Sequence, residues 1–411
     1  MSRTLGQVRV ERPAHGGHAV ARHEGRVIFV RHTAPGELVD VRVEEDAPDA
    51  RFWRGEAVVV HEPSPDRVAH VWPAAGPGGV GGAELGHLRL AAQRAWKREV
   101  LIETLTRVGH LEAPDLEVRA APGDEDRGGL GTRTRITMVA DAEGRPAMHR
   151  ARSHELVPIG EMPLAVPALA DLAVWDSRVR AGTRLDLVAP SEPSAGAFVL
   201  ADGERKGGKG RWVTEQVTVT GPDGLPRTYR YRVAADGFWQ THREAPGVIA
   251  ETVLQAADLQ EGERVWELYS GAGLLTLPLA DAVGPRGRID AVEGDASGSR
   301  AARRNAREHP WIRLHAGDVR TVVGELSTHA QERPDVVVLD PPRAGARREV
   351  MAAITAATPR RIVYVACDPA SLARDAAIAV EHGYTLTSVQ GLDLFPHTHH
   401  VEAVAVLDRE G

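Results

Sequence analysis

From about Asp236 to the C-terminus, short apolar runs alternate with helix-like segments, and that alternation leaves few folds open. A helix is expected over 245–258, then strands over 264–268, 289–293, 312–315, 335–340, 361–366, 385–394 and 401–407. Helical segments separate the first five strands. Units of this kind build a parallel, doubly wound sheet with helices on both faces. The last two strands are joined by a short loop, so they are expected to pair antiparallel at one edge. Ligands of such sheets bind beyond the carboxyl ends of the strands. The residues that end each strand therefore carry the functional information.

The rest of the chain reads differently. Residues 1–62 hold five short alternating runs, 7–10, 17–22, 25–31, 38–45 and 52–61, split by turns such as Pro35-Gly36-Glu37. Five strands in so short a span suggest an OB-like barrel. A Pro- and Gly-rich linker over 63–90 leads into a helix over 89–108, and strand patterning returns from Leu116 to about Tyr231. The expected fold class is α/β: a Rossmann-like C-terminal sheet, an N-terminal OB-like β-barrel and a central β-rich α+β domain. The expected division is 1–62, 63–235 and 236–411. The stretch Arg205-Lys206-Gly207-Gly208-Lys209-Gly210-Arg211-Trp212 suits phosphate and base contact, and equally suits a solvated hairpin tip.

Composition narrows the chemistry. The chain has one cysteine, Cys367, so it forms no internal disulfide and no cysteine-ligated metal or iron–sulfur cluster. No run of eighteen apolar residues is present, and the start lacks an apolar leader core, so a cytoplasmic protein with no membrane contact is expected. The net charge of −7 argues mildly against nonspecific nucleic-acid binding but leaves room for a local basic surface.

Five strand ends carry polar groups. Glu267-Leu268-Tyr269-Ser270-Gly271-Ala272-Gly273-Leu274 follows the first sheet strand and opens a helix, where Gly271 and Gly273 allow close backbone approach to a ligand. Glu293 ends the second strand, where a carboxylate can accept from both hydroxyls of a ribose. Asp318 ends the third, placed either to accept from an adenine amino group or to cap a helix. The pattern points to an adenosine cofactor and leaves a dinucleotide or S-adenosylmethionine open. The glycine spacing, G-x-G without the third glycine, weighs against NAD. Asp340-Pro341-Pro342-Arg343 ends the fourth strand, and Cys367 ends the fifth; these two are expected as near neighbours at one sheet edge. Glu402 opens the last strand near the same place. One thiol and two carboxyl groups match a particular reaction. A thiolate adds to carbon 6 of a uracil, carbon 5 then takes a methyl group from a sulfonium, and a base removes the carbon 5 proton. No metal is needed, and the spacing of His397, His399 and His400 fits no metal motif.

Three strings then carry a resemblance: Asp-Pro-Pro-Arg-x-Gly over 340–345, Tyr-Val-Ala-Cys-Asp-Pro-Ala-Ser-Leu-Ala-Arg-Asp over 364–375, and Asp-Leu-Phe-Pro-His-Thr-x-His-x-Glu over 393–402. In that order they resemble the signature of the RNA 5-methyluridine methyltransferases, enzymes that use S-adenosylmethionine to modify uridine in tRNA or ribosomal RNA. The N-terminal barrel resembles the TRAM domain of the same family through Phe29-Val30, Pro35-Gly36-Glu37 and Ser64-Pro65-x-Arg67. The resemblance implies Cys367 as nucleophile and Glu402 as base. It implies Gln240, Tyr269, Glu293 and Asp340 as cofactor or substrate-site residues, an RNA partner, and by default a monomer. Many members carry a four-cysteine iron–sulfur cluster before the central domain; the segment Trp72 to His87 has no cysteine, so no cluster is expected. His242 and Leu274 stand where the family often has Asn. Asp368 replaces a common Asn beside the nucleophile, and an extra anion there is expected to raise the thiol pKa unless Arg374 or another cation offsets it. Two alternatives remain. A cytosine-5 or small-molecule methyltransferase is disfavoured, for DNA cytosine enzymes, by the absence of a Pro-Cys pair at Cys367. A catalytically inactive RNA-binding protein is disfavoured by the retention of Cys367 and Glu402.

Overall fold

The computed structural model describes residues 3–45, 50–151, 153–201 and 211–410. The first five strands are β1 (Thr4–Ala14), β2 (His18–His23), β3 (Arg26–Arg31), β4 (Leu38–Glu45) and β5 (Phe52–Glu62), and they close into a barrel in the order β1-β2-β3-β5-β4. Alternation drives this closure: Val8, Val10, Ile28, Val30, Val39 and Val41 point inward and are all nearly inaccessible, while most of their neighbours are partly or fully exposed. Gly55 permits the tight β4–β5 contact, since a Cβ there would press on the Arg42 carbonyl and Val41.

A linker with little regular structure leads into helix α1 (Leu90–Arg107) and the three-residue strand β6 (Val118–Ala120). Next come α2 (Asp124–Arg127), β7 (Arg135–Ala140), β8 (Pro146–His149), β9 (Leu156–Pro158), α3 (Pro167–Ala170), β10 (Arg184–Val188) and β11 (Phe198–Ala201). The five strands β7 to β11 form one sheet, in the order β11-β10-β7-β8-β9. Strands β12 (Trp212–Thr220) and β13 (Pro226–Ala234) form a separate hairpin. Most of the basic stretch 205–212 lies outside the described residues; Arg211 stacks over the Phe198 ring.

The C-terminal part alternates α4 (Ala245–Ala257), β14 (Arg264–Leu268), α5 (Thr276–Val283), β15 (Arg288–Glu293), α6 (Ala296–Asn305), β16 (Ile312–Ala316), α7 (Val319–Ser327), β17 (Val336–Leu339), α8 (Arg347–Ala356), β18 (Arg361–Ala366) and α9 (Pro369–Glu381), and ends with β19 (Tyr384–Asp393) and β20 (Glu402–Arg409). The sheet order is β16-β15-β14-β17-β18-β20-β19-β6. Strands β14 to β18 pair in parallel. Their near-continuous apolar runs, such as Val336-Val337-Val338-Leu339 at 0% exposure, are what a sheet covered on both faces requires. Strand β20 then runs antiparallel between β18 and β19, as its short connection demands. The edge itself is taken by β6, which pairs in parallel with β19 through Gly391↔Val118. Residues 90–120 thus attach to the C-terminal layer, with α1 packed on α9. Among the described residues, no helix is long and apolar enough to cross a membrane.

Helix α1 also braces the loop between β19 and β20. Lys97 Nζ, fully buried, donates to Asp393 Oδ1 at 2.5 Å and to the Phe395 carbonyl at 2.9 Å. The amide of Gln93 accepts from His397 N at 2.7 Å and contacts His397 Nδ1 at 3.1 Å. Removing one partner of a buried ion pair leaves the other uncompensated. Lys97→Met is therefore expected to destabilise the fold by about 3–5 kcal/mol, read as a lower denaturant midpoint; a midpoint unchanged from the parent would contradict the brace.

Candidate active site

The antiparallel register of β18 and β20 sets the centre of the site. Ala366 faces Ala403, so continuing the register by one residue puts Cys367 opposite Glu402. Asp340 follows β17, which lies beside β18 in the sheet interior, with Leu339 paired to Tyr364. The three side chains therefore converge where β17 and β18 end and the antiparallel β20 begins. Their meeting place is this end of the sheet, well inside its lateral edges.

Burial governs the electrostatics. The Cys367 thiol is partly buried, and desolvation pushes it up to about 11; Glu402 and Asp340 add to the rise and Arg343 opposes it. Glu402 is 4% exposed, and burial, then the nearby Asp340, raise it well above the ordinary carboxylate range. Burial also raises Asp340. Two carboxyl groups in such a place do not both ionise. The expected effect of Asp368 on the thiol takes a different form. Its Oδ1 caps α9 by accepting from Ser371 N at 2.9 Å, and its Oδ2 lies 3.4 Å from His15 Nε2, on the turn between β1 and β2. The cation that offsets the thiol is Arg343, because Arg374 is engaged with Asp375.

Asp375 shapes the loop after Asp340. Buried at 0% exposure, its Oδ2 accepts from Ala346 N at 2.7 Å, Arg347 N at 3.2 Å and the Tyr364 hydroxyl at 2.7 Å. Gly345 has φ +74, and any Cβ there would run into Asp375 and Arg374. Arg343 leaves this loop to reach His400 Nε2 at 3.3 Å.

The second half of the site lies beyond β14. Tyr269 sits in the left-handed region at φ +64, a strained backbone for a non-glycine residue, and burial raises its hydroxyl to about 12. Gly271 at φ +55 has open space where a Cβ would stand, and Gly273 has φ +91. Glu293 Oε2 accepts from Gly271 N at 2.6 Å and Oε1 from Asp295 N at 2.5 Å, which fixes its carboxylate against the glycine turn. Asp318 is exposed and caps α7, its Oδ1 accepting from Thr321 N at 3.1 Å. Gln240 is half-buried and follows Trp239, whose ring lies 5.4 Å from that of Tyr231. The Tyr231 hydroxyl donates to the Leu274 carbonyl at 2.9 Å, tying the β12–β13 hairpin to the glycine turn. His242 turns away from this turn: it is buried, with Nε2 3.0 Å from Asp124 Oδ2 and Nδ1 accepting from Glu244 N.

Sequence reasoning passed over Glu267. It is 1% exposed, burial raises it to about 8, and neither carboxyl oxygen has a well-formed hydrogen bond, Thr276 being the donor that lies near enough to offset the burial in part. Ser270 Oγ and Thr276 Oγ1 are buried without partners in the same turn. Orphaned acceptors of this kind require an explanation. An acid inside the otherwise apolar run Val265-Trp266-Glu267-Leu268 was the signal available. Unmatched acceptors, open glycines and a fixed carboxylate suit a ligand with an ammonium group and a ribose diol, which S-adenosylmethionine carries.

The tRNA (Uracil-5-)-methyltransferase family model matches residues 208–410, and the TRAM domain model matches residues 6–58. An uncharacterized RNA methyltransferase of Bifidobacterium longum is 44% identical over 98% of this chain and 96% of that protein. The 23S rRNA (uracil(1939)-C(5))-methyltransferase RlmD of Chromohalobacter salexigens is 33% identical over 98% of this chain and 89% of that protein. The chain belongs to the RNA uracil-5-methyltransferase family. A solved structure of Pyrococcus abyssi tRNA (uracil-54, C5)-methyltransferase in complex with S-adenosyl-L-homocysteine shares the fold, with a TM-score of 0.68 and 22% identity over 98% of this chain and 99% of that one. The family is an S-adenosylmethionine-dependent one, and the orphaned polar atoms around Glu267 fit that cofactor.

Glu267 also sets a pH dependence. Its carboxyl is raised in the folded state, so between about 4.3 and the folded value the folded form holds a proton that the unfolded form has lost. Stability supplied by the neutral form is complete below the unfolded pKa and is lost as pH rises through about 8. Glu267→Gln is expected to gain stability relative to the parent between pH 5 and pH 8, measured by urea unfolding of the ligand-free chain; a constant difference across that range would contradict the assignment.

Proposed function

We propose that this chain forms 5-methyluridine in structured RNA, with Cys367 as nucleophile and Glu402 as base. The β18–β20 register carries the reading, because it sets a thiol and an acid across one gap at the end of the sheet. In this reading Glu293 receives a ribose. Gln240, Tyr269, Gly271, Gly273 and Asp318 bound the cofactor, and Asp340 stands between it and the pyrimidine. S-adenosylmethionine, bound there, supplies an electrophilic methyl group. The Cys367 thiol gives up its proton to solvent, its thiolate Sγ adds to carbon 6 of the uracil, and the electron pair displaced toward carbon 5 makes that carbon nucleophilic. Once carbon 5 bears its methyl group, Glu402 in its ionised form accepts the proton that carbon 5 loses, the Sγ–carbon 6 bond breaks, and the thiolate is released. Burial keeps Cys367 protonated at rest, and a positive charge arriving beside it favours the thiolate.

The chain acts as three parts, 1–62, 63–235 and 236–411, the first two holding RNA, with α1 and β6 of the second part joined to the C-terminal sheet. Ribosomal RNA is the favoured substrate over tRNA, since the relative named for 23S rRNA is more similar than the one named for tRNA. The enzyme works as a cytoplasmic monomer without an iron–sulfur cluster; Trp72, Val80 and Ala83 fill the segment that carries the cluster cysteines in many members with buried apolar groups.

Mass-spectrometric mapping of 5-methyluridine in RNA from cells with and without the protein tests the function. One uridine is expected to lose its methyl group in the deletion, and Cys367→Ala is expected not to restore it; an unaltered modification map would refute the proposal. Glu402→Gln is expected to leave RNA bound covalently, because addition proceeds while proton removal stalls. The adduct would appear as a gel shift that survives denaturant, and its absence with active cofactor and substrate would remove Glu402 as the base.

A further inference from the structure

Three histidines far apart in the chain meet where the barrel joins the linker. His32 follows β3, while His70 and His87 lie in the linker before α1. One ring nitrogen from each lies within 4.8 Å of the others. His32 and His87 are buried, and His32 Nδ1, His70 Nε2 and His87 Nδ1 are each buried without a well-formed hydrogen bond, although the Ala83 carbonyl lies beside the His70 ring. Buried polar atoms without partners are uncommon, and three in one group need a common cause. The backbone is bent to build the group. His32 has φ +58, a left-handed conformation unusual for a side-chain-bearing residue. Gly86 makes room for His70, since a Cβ there would come 2.7 Å from its Cε1.

We propose that His32, His70 and His87 form a binding site for one zinc ion, with water as fourth ligand, that fastens the barrel to the linker. Neutral imidazoles suit zinc, and tetrahedral coordination at about 2.0–2.1 Å sets donor nitrogens roughly 3.3 Å apart. The rings therefore close in slightly on binding. The far nitrogens of two rings are already oriented as ligating histidines require. His87 Nε2 is 3.2 Å from the Thr33 carbonyl, and His32 Nε2 is 3.9 Å from Glu56 Oε2. In His87 the Thr33 carbonyl holds the proton on the outer nitrogen, which leaves a lone pair on the inner one; the Glu56 carboxylate lies beyond hydrogen-bond distance of His32 and favours the same tautomer only through its charge. His70 must change: its Nδ1 accepts from Trp72 N at 3.1 Å, which places its proton on Nε2. Coordination moves that proton to Nδ1 and exchanges the Trp72 hydrogen bond for a bond to the metal, with no net proton release from this ring. Glu37, Glu56 and Glu84 lie around the group, and the nearby Arg31 and Arg67 are already paired, with Glu44 and Glu37. The sequence reading expected no metal, and among the histidines it weighed only His397, His399 and His400.

The test is metal content and coordination in the purified full chain. After zinc loading and dialysis, about one zinc per chain is expected, with X-ray absorption showing nitrogen ligands from imidazole. Cobalt in place of zinc should give the visible absorption of a tetrahedral site. His32→Ala and His87→Ala should each lower retained zinc at least tenfold, whereas His154→Ala, an exposed histidine elsewhere, should not. A folded parent chain that retains no zinc after dialysis, as it would if the three nitrogens merely share a buried water, overturns the proposal. So does zinc content that both variants leave intact. Should the variants fail to fold, stoichiometry and absorption of the parent chain decide.

Discussion

The antiparallel pairing of β20 with β18 is the constraint on which the candidate site depends. A wholly parallel sheet would present only residues that end strands. Inserting one strand that runs the other way lets a residue that opens a strand, Glu402, face one that has just ended, Cys367. A one-residue slip would turn Glu402 to the opposite face of the sheet. The surrounding structure holds that register firmly. Lys97 and Gln93 of α1 fix the loop that delivers β20, while Asp375 fixes the loop that carries Asp340 and Arg343.

Around this register the protein collects groups that are poorly satisfied on their own. A thiol, two carboxyl groups and the Glu267 carboxyl are all shifted toward their neutral forms by burial, and Arg343 is the cation that opposes the shift at both Cys367 and Glu402. Such a site gains from a cationic ligand and from a flat polar one that can meet its donors and acceptors. Strained positions mark the same region: Tyr269 at φ +64 and His397 at φ +66 hold their side chains in place against local preference.

Much of this was legible in the chain. The apolar runs that end at Leu268, Glu293, Leu339 and Ala366 fixed their strands because a doubly covered sheet tolerates little else. The five barrel strands were equally plain from their alternation. The edge strand β6 was not legible, since three residues are too few to display a period and its pairing with β19 is purely tertiary. Asp318 was ambiguous from sequence because a cap and a ligand use the same carboxylate; it caps a helix in the structure, and so does Asp368, which the sequence had marked only as an anion beside the thiol. Glu267 was overlooked because an acid within an apolar run reads as noise until its lack of partners is seen. The grouping of His32, His70 and His87 depends on how the linker wraps the barrel, which no local pattern encodes.

The burial of the Lys97–Asp393 pair separates two responses to ionic strength. Contacts between a protein surface and phosphates weaken steeply as salt is added, because released counterions lose their advantage. A pair with 0% and 2% side-chain exposure is out of reach of those ions. Added salt therefore strips nucleic acid from this molecule while the loop that delivers Glu402 keeps its shape.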